Sequence, residues 1–397
     1  MILCGVFFNS EIRTGGHRRY LELLGGLAAR NHAVHLLRAP ESGAAPAGVR
    51  CIDISSVAPS GGVLPRRHSA SWKRAVDAER DRIRGLRPRP EVVLAFDETT
   101  FPGAWSVARM LEIPLVLAVR SNMLDEISAF GAHVGPSALS RLLAPLERAV
   151  ILRRQRRIAR LASAVVFQTE YDRRSFLRHH SHVAADTYVI PNNIGASWFD
   201  PAYEDANTST ACRTLLFVGA LSRRKGLFPL LDAVRRLREG GRRVKLRIVG
   251  FGALEDQVAA AVERLGLTEE VELTGRVPSA LPYISQADLL VLPSYVESFP
   301  NVLLEALFVG TPAVGSRVGG IREILSADEL LFEPGSASEI ESCVARLHDD
   351  TNAYRRAKAI CARRKDAFRF DWIARFEDVI SGAVSRARDE SGDGGRA

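Results

Sequence analysis

A chain of 397 residues is too long for one ordinary hydrophobic core, so we expect two domains of roughly 200 residues each. Hydrophobic residues make up 46% of it and charged residues 25%, which is typical of globular proteins and excludes a disordered chain. No apolar run approaches the ~20 residues of a membrane span, and the start, MILCGVFFNSE, lacks the features of a signal peptide, so we expect a cytoplasmic protein.

The net charge of +8 belongs to the first half of the chain. Residues 1–200 hold 27 Lys and Arg against 18 Asp and Glu (+9), whereas residues 201–397 hold 27 against 28 (−1). A basic half suits an anionic membrane surface, a lipid phosphate or a nucleic acid, or it serves solubility alone. Because neither an RNP-like aromatic pair nor a helix-turn-helix pattern is present, we expect no nucleic-acid partner.

Metal-binding patterns are weak in this sequence. The five cysteines are scattered and never form a C-x2-C pair, so we expect neither a disulfide framework nor a zinc site. His179, His180 and His182 could bind a metal, but they close a polar helix, and a solvated helix end is the favoured interpretation. We expect no bound metal and no resident cofactor.

Short runs rich in Val, Ile and Leu alternate with longer helical patterns. Strands are predicted at 2–8, 33–37, 49–54, 91–96, 114–119, 164–167 and 187–190, then at 214–219, 244–250, 271–273, 288–293 and 312–315. Because continuous apolar strands spaced by helices form parallel sheets covered on both faces, the pattern predicts an α/β fold.

A stretch without periodicity at residues 191–213, rich in Pro, Asn, Asp, Ser and Thr, divides the chain. Each half is predicted to be a doubly wound parallel sheet, with ligands in a cleft between the halves, at the carboxyl ends of the strands. The predicted boundaries are 1–195 for the first domain, 196–212 for a linker, 213–372 for the second domain, 373–388 for a C-terminal helix packing back on the first domain and 389–397 for a disordered tail.

The stretch ESFPNVLLEALFVGTP (297–312) places Glu305 inside an apolar run and Glu297 just upstream of it. Pro300 is predicted in the first turn of a helix, so Glu297 lies in the preceding loop and Glu305 about one and a half turns into the helix. The helix N-terminus between them is a ready anion site. Two carboxylates for hydroxyl groups beside an anion site suit a sugar nucleotide; the alternative is a structural helix with one paired glutamate.

A cationic turn follows a strand in FVGALSRRKGL (217–227), where Gly219 leads to Arg223, Arg224 and Lys225. These cations could neutralise a diphosphate, Arg bidentately, or they could form a solvated basic turn.

Two other loops carry paired glycines. In IVGFGALED (248–256), Gly250 and Gly252 lack the third glycine of a dinucleotide fingerprint, but they permit close backbone approach to a phosphate or base. In NSEIRTGGHRRY (9–20), Gly15 and Gly16 permit the same approach, or they belong to a plain flexible loop.

With these motifs the chain resembles the retaining glycosyltransferases of family 4, which have the two-domain GT-B fold. The resemblance covers nearly the full length and is sharpest in FVGALSRRKG, IVGFGALEDQ, VELTGRVP, ADLLVLPSYVESFPNVLLEAL and GTPAVGSRVGGIRE, all within residues 214–323. TEYDRR (169–174) and VIPNNI (189–194) are similar to the end of the family's first domain. The resemblance implies metal-independent transfer of a sugar from a nucleotide sugar, such as a UDP- or GDP-sugar, to a hydroxyl acceptor.

The resemblance also implies roles for individual residues. Glu297 would hold hydroxyls of the donor sugar and Glu305 the ribose diol, while Lys225 and an adjacent arginine would grip the diphosphate, with Gly16 beside it. The other implied donor contacts are Gly219, Arg223, Gly250, Gly252, Val277, Ser298, Phe299, Pro300, Asn301 and Val302.

Two departures from the family pattern affect the predicted site. Ala220 stands where many members have an arginine before the lysine, and we expect Arg224 to compensate because it adjoins Lys225. Arg120 stands where many members have a histidine that touches the donor sugar. Arg120 is therefore expected to act at the reaction centre, where it would contact an acceptor anion or stabilise the leaving phosphate. The alternative is that Arg120 is a structural arginine.

The acceptor is the open part of the prediction. Asp97 and Glu98 follow strand 91–96 and are candidates for orienting the acceptor. Residues 141–160 hold seven arginines and one glutamate around an apolar stripe. Such a helix suits an anionic leaflet and a lipid-linked acceptor in polysaccharide synthesis, or it is a packed helix with a solvated basic face. The alternatives are a soluble acceptor, such as an aminocyclitol, and a sugar-nucleotide epimerase or hydrolase.

Overall fold

The computed structural model describes residues 1–7, 15–39, 45–54, 65–121, 123–125, 127–128, 138–180, 182–195 and 199–393. The chain divides into two compact units. The first contains Met1–Ser121, Ala149–Pro191 and Asp371–Ala397, and the second contains Asn122–Arg148 and Asn192–Phe370. The predicted boundaries differ from this division in placing residues 122–148 in the first domain.

The first unit is built on a seven-stranded parallel sheet in the order β3-β2-β1-β4-β5-β6-β7. Its strands are β1 (Ile2–Phe7), β2 (Ala33–Arg38), β3 (Val49–Asp53), β4 (Val92–Phe96), β5 (Leu115–Ala118), β6 (Ala164–Phe167) and β7 (Asp186–Val189). Its described helices up to β7 are α1 (Gly15–Ala29), α2 (Pro65–Ala78), α3 (Arg80–Arg84), α4 (Phe101–Leu111), the part of α5 (Ala138–Leu161) that begins at Ala149, and α6 (Glu170–His179). The residues of α5 up to Arg148 belong to the second unit. The central strands are apolar along their whole length because helices cover both faces.

The second unit contains a six-stranded parallel sheet in the order β10-β9-β8-β11-β12-β13. Its strands are β8 (Thr214–Val218), β9 (Lys245–Val249), β10 (Val271–Gly275), β11 (Leu289–Leu292), β12 (Ala313–Ser316) and β13 (Leu331–Phe332). Its helices are α7 (Leu227–Glu239), α8 (Glu255–Arg264), α9 (Leu281–Gln286), α10 (Asn301–Val309), α11 (Gly319–Leu325), α12 (Ala337–Asp349) and α13 (Thr351–Asp366). A continuous core of buried side chains joins these helices to the sheet.

The structure confirms the predicted fold class of two doubly wound parallel sheets. All twelve predicted strands are present, with ends shifted by at most two residues. β13 was not predicted, because its two residues are too short to form a recognisable apolar run.

The last helix, α14 (Trp372–Asp393), belongs to the first unit. The Arg30 guanidinium pairs with Glu377 at 2.9 Å, and a side chain at Gly26 would lie 2.7 Å from Ile373, so α14 packs closely against α1. The helix continues to Asp393, within the segment predicted as a tail, and residues 394–397 lie outside the described residues. In the part of the chain that the structure describes, no helix has both the length and the apolar character needed to cross a bilayer.

The basic helix predicted at 141–160 is part of α5. Its inner face buries Ile151, Gln155 and Ile158. Arg148, Arg153, Arg156, Arg157 and Arg160 are exposed. The helix therefore has a packed face and a basic exposed face.

Candidate functional site

Each sheet has one point where the strand order reverses direction, and there the loops after two neighbouring strands diverge and leave a crevice. In the second unit this point lies between β8 and β11. The loop after β8 carries the cationic turn, and the loop after β11 carries the ESFP segment. The topology therefore brings together the two motifs that carried most of the sequence prediction.

Lys225 and Glu297 form an ion pair at this switch point. The Lys225 Nζ atom donates a hydrogen bond to Glu297 Oε1, and both side chains are about nine-tenths buried, with exposed fractions of 11% and 9%. The Ser294 hydroxyl donates a second hydrogen bond to the same Oε1 atom, at 3.0 Å. A buried carboxylate is thus held between one cation and one hydroxyl, which satisfies it at the cost of desolvating both charges.

The cationic turn is fixed by its backbone. Arg223–Lys225 forms a single 3-10 turn, and Gly226 follows with φ +66°. A Cβ atom on Gly226 would lie 1.9 Å from the Pro293 carbonyl oxygen, so only glycine fits there. The Arg224 carbonyl accepts the Tyr295 N–H at 2.8 Å, which ties the turn to the loop after β11. Arg223 is exposed and Arg224 half-buried.

Gly219, Gly250 and Gly252 bring the loops after β8 and β9 into backbone contact. Gly219 donates its N–H to the Val249 carbonyl at 3.0 Å, and a Cβ atom on Gly250 would lie 1.8 Å from the Gly219 oxygen. A Cβ atom on Gly252 would lie 2.6 Å from the Leu221 oxygen. These glycines are therefore needed for packing of the loops, independently of any ligand.

The N-terminus of α10 also lies in this region. Pro300 is the N-cap, one residue before the predicted position in the first turn, and its side chain makes no capping hydrogen bond. Phe299 is buried and packs edge-on against Phe368, with ring centroids 5.8 Å apart. The Asn192 Nδ2 group donates to Asn301 Oδ1 at 2.6 Å, at the first residue of the helix. Val302 lies half-buried in the first turn and Glu305 half-buried in the second.

Two glycines after β12 support the loop that carries Glu297. The Gly320 N–H donates to the Glu297 carbonyl at 3.1 Å. Cβ atoms on Gly319 and Gly320 would lie 2.1 Å and 1.8 Å from the carbonyl oxygens of Glu297 and Ser298. The RVGGIRE segment therefore holds the backbone beneath the site.

An exposed aromatic ring lies beyond β9 and β10. Phe251, in the loop after β9, is 48% exposed, and the Arg276 guanidinium lies over its ring at 4.6 Å. Val277, a predicted donor contact, is half-buried and packs against the core. Aromatic and guanidinium planes are the surfaces on which nucleobases stack.

Gly16 and Arg120 lie in the first unit. Gly16 is in the first turn of α1, and the loop residues 8–14 before it lie outside the described residues. Arg120 follows β5, with its guanidinium 5.2 Å from the Phe96 ring centre. Burial, followed by the charge of Arg19, lowers the pKa of Arg120 to about 9, although Asp97 opposes this effect.

Glu98 is not an accessible carboxylate, and the suggestion that it orients an acceptor is wrong. Only 1% of the residue is exposed, and Gln155 Nε2 donates to its Oε1 at 2.8 Å. Burial raises the pKa of Glu98 to about 8. Asp97 adopts φ +77°, and its Oδ1 accepts hydrogen bonds from the Thr99 N–H and hydroxyl at 3.0 and 3.1 Å.

The sequence suggested that the histidine cluster is a solvated helix end, but the structure shows that it is not fully solvated. His180 is 6% exposed, packs against the Phe176 ring at 4.9 Å and lies 3.4 Å from Gln155 Oε1. Burial lowers the pKa of His180. In the described ranges, no three His, Cys, Asp or Glu side chains are grouped as metal ligands.

Ser294, Asn192 and Gly320 contribute to the site geometry; they lie within motifs identified in the sequence, but no role was predicted for them. Asn192 lies 109 positions before its partner, and no local period connects the two residues. The only signal was the repeated glycine of RVGG, since paired glycines after a strand indicate close backbone approach.

Solved structures share this fold. Sucrose-phosphate synthase from Thermosynechococcus elongatus matches with a TM-score of 0.76 and 18% identity, covering 97% of this chain and 100% of that one. The Anabaena protein HepE, solved with UDP and glucose, matches with a TM-score of 0.66 and 18% identity, covering 96% and 99%. The fold class is therefore GT-B, with two Rossmann-like domains.

Two family models together match most of the chain. The Glycosyl transferase 4-like domain matches residues 14–193, and Glycosyl transferases group 1 matches residues 212–350. The chain therefore belongs to the GT-B glycosyltransferases of the family 4 type.

Three curated relatives show how far the sequence similarity extends. Glycogen synthase of Mycobacterium tuberculosis is 29% identical over 72% of this chain and 66% of its own length. The 2-deoxystreptamine glucosyltransferase of Streptomyces kanamyceticus is 33% identical over 34% of this chain and 36% of its own length. The phosphatidyl-myo-inositol mannosyltransferase of Mycobacterium leprae is 32% identical over 48% of this chain and 51% of its own length. The matched part of the chain thus spans from about a third to just under two thirds of these relatives' lengths.

Proposed function

We propose that this chain is a retaining glycosyltransferase that binds a nucleotide sugar at the switch point between β8 and β11 of its second unit. The observation that carries the proposal is the buried Lys225–Glu297 pair beside the N-terminus of α10. One carboxylate, one ammonium and a helix N-terminus are the groups that sugar hydroxyls and a diphosphate require.

In the absence of a donor, Lys225 and Glu297 pair with each other, and we propose that this pair separates when a donor binds. Lys225 and Glu297 neutralise each other, so an incoming diphosphate competes with the carboxylate for the ammonium group. On binding, Lys225 pairs with the diphosphate and Glu297 is released to accept hydrogen bonds from sugar hydroxyls. Arg224, Arg223 and the partial positive charge at the start of α10 balance the remaining phosphate charge.

The chemical step follows from these positions. The bond between the anomeric carbon and the β-phosphate oxygen breaks, and a bond from the acceptor hydroxyl oxygen to that carbon forms on the same face. The acceptor proton passes to the departing β-phosphate. Negative charge develops on that phosphate in an oxocarbenium-like transition state, and Lys225 with Arg224 stabilises it without a metal ion. Arg120 is proposed to take part in the reaction, as the sequence predicted.

The other predicted donor contacts keep their proposed roles. Glu305 binds the ribose diol, and the backbone around Ser298–Val302 contacts the sugar and phosphates. The exposed Phe251 ring and the Arg276 guanidinium are proposed to stack on the nucleobase. UDP is the first nucleotide to test, because the HepE structure of the same fold contains it.

For the acceptor, we propose a lipid-linked saccharide in polysaccharide synthesis. The exposed arginines of α5 support contact with an anionic membrane surface. A mannosyltransferase of phosphatidyl-myo-inositol among the relatives agrees with a lipid acceptor. The relative that glucosylates 2-deoxystreptamine favours a soluble aminocyclitol as the second candidate.

Thermal unfolding with UDP-, GDP-, ADP- and TDP-sugars tests the donor site. We expect one nucleotide series to raise the midpoint of unfolding, and NMR of the product to show the anomeric configuration of the donor. Inversion of configuration would contradict the retaining mechanism. Donor turnover at the full rate without any acceptor would instead indicate a hydrolase or epimerase.

A further inference from the structure

The Asn192–Asn301 hydrogen bond fixes the orientation of an amide at the start of α10. Asn192 is only 1% exposed, whereas Asn301 is half-buried and therefore partly accessible. Because Asn192 Nδ2 donates to Asn301 Oδ1 at 2.6 Å, the carbonyl end of the Asn301 amide faces Asn192. The Nδ2 group of Asn301, with two N–H donors, consequently points away from Asn192.

The segment that carries Asn192 is itself anchored within the second unit. The Ile194 N–H donates to the Phe368 carbonyl at 2.8 Å. The Phe368 ring in turn packs against Phe299, two residues before Asn301. Asn192 is therefore held by a rigid support rather than by a mobile loop.

We infer that Asn192 is a positioning residue that makes Asn301 present its N–H donors, and not its carbonyl oxygen, to the diphosphate of the donor. This inference rests on the proposed function, because it assumes that a nucleotide binds at the N-terminus of α10. The physical reason is the sign of the amide dipole. An N–H group adds to the partial positive charge of the helix N-terminus, whereas the carbonyl oxygen would oppose it and repel phosphate oxygens.

A double-mutant cycle with UDP and GDP as the titrated probes tests the inference. We expect Asn301→Ala to weaken binding of the preferred nucleotide by about 10-fold or more, since hydrogen bonds to charged groups are among the stronger ones. Asn192→Ala should weaken it by about 2-fold, because an unsupported Asn301 samples both amide orientations and only one of them binds phosphate. The double variant should be no weaker than Asn301→Ala, because Asn192 acts only through Asn301.

Asn193→Ala is the matched control. It deletes the same amide group one residue away, and its partner is the Phe370 carbonyl. We expect it to lower the midpoint of thermal unfolding and to leave nucleotide affinity unchanged. If Asn192→Ala behaves in the same way, or if the effects of the two single variants on affinity add in the double variant, Asn192 is purely structural and the inference is wrong.

Failure of the proposed function would be recognisable separately. If no nucleotide of the UDP, GDP, ADP and TDP series binds the unmodified protein, the nucleotide site itself is wrong. If one binds and the cycle shows no coupling, the donor site stands and only the role of Asn192 is refuted.

Discussion

The two sheets reverse strand order in the same way, yet their switch points hold opposite kinds of side chains. Between β8 and β11 of the second unit lie Lys225 and Glu297, a buried pair of charges. Between β1 and β4 of the first unit lies the Tyr20 side chain of α1. Its hydroxyl accepts the Val6 N–H at 2.7 Å and donates to the Leu94 carbonyl at 2.6 Å.

Aromatic rings pack around Tyr20 in the described part of the first switch point. Tyr20 stacks on Phe96 at 4.5 Å, and Phe96 stacks on Phe376 of α14 at 5.9 Å. Burial raises the pKa of Tyr20 well above its usual value, so its hydroxyl stays neutral and joins the strands. The same topology therefore carries different side chains in the two units, and it is the side chains that define a site.

The largest expected effect is loss of activity at the switch point between β8 and β11, which we call the polar switch point. We expect Lys225→Ala or Glu297→Ala to reduce transfer by at least 10²–10³-fold, because each removes charge stabilisation made in the transition state. Each also leaves its former partner as an unpaired buried charge, so the midpoint of thermal unfolding is measured in parallel. Glu297→Gln, which is neutral and similar in size, serves as the second variant. Near-normal turnover in either alanine variant that remains folded would refute the assigned roles.

Glu98 should make the stability of the first unit dependent on pH. Its pKa of about 8 in the folded protein lies above that of an unfolded glutamate, so folding retains a proton. Its contribution is full at pH values below about 4 and is lost as the pH rises to about 8, by on the order of 4 kcal/mol.

Asp97, Asp172, Arg154 and Gln155 also influence this carboxyl group. Glu98→Gln keeps the acceptor for Gln155 and should flatten the pH profile in urea unfolding. The exposed Glu390→Gln on α14 is the control and should leave the profile unchanged. An unchanged profile in Glu98→Gln would show that Glu98 is ionised throughout.

Comparing Gly226→Ala with Gly241→Ala separates the cost of steric overlap at the polar switch point from the cost of backbone strain alone. Gly226→Ala should destabilise the second unit by at least ~3 kcal/mol, because its Cβ atom would overlap the Pro293 oxygen. Gly241 has φ +78° and nothing within 4 Å, so Gly241→Ala should cost only about 1–2 kcal/mol from backbone strain. Equal losses in chemical denaturation would mean that the turn relaxes around the new side chain.

The smallest expected effect comes from the aromatic switch point. Tyr20→Phe keeps the ring but leaves the Val6 N–H and the Leu94 carbonyl without the hydroxyl, which should cost about 2 kcal/mol of stability. Nucleotide affinity, measured by fluorescence titration, should stay the same. A fall in affinity comparable to that of Lys225→Ala would contradict the contrast between the two switch points.

The sequence was sufficient for the repeating features and for adjacent motifs. Continuous apolar strands predicted both sheets, and the 297–312 stretch with the cationic turn singled out Lys225 and Glu297 as candidates. Their ion pair was not predicted, because it depends on which strands are neighbours in the sheet. Glu98 was misjudged because its neighbours in sequence are polar, whereas its spatial neighbour Gln155 lies 57 positions away.

A crystal structure of the protein with the nucleotide sugar that stabilises it most is the most direct test of the polar switch point. We predict that Lys225 Nζ leaves Glu297 and lies at about 3 Å from a diphosphate oxygen, with the first N–H groups of α10 directed at the same diphosphate. Glu297 should then accept hydrogen bonds from the sugar. A nucleotide bound elsewhere, with the Lys225–Glu297 pair intact, would contradict the account.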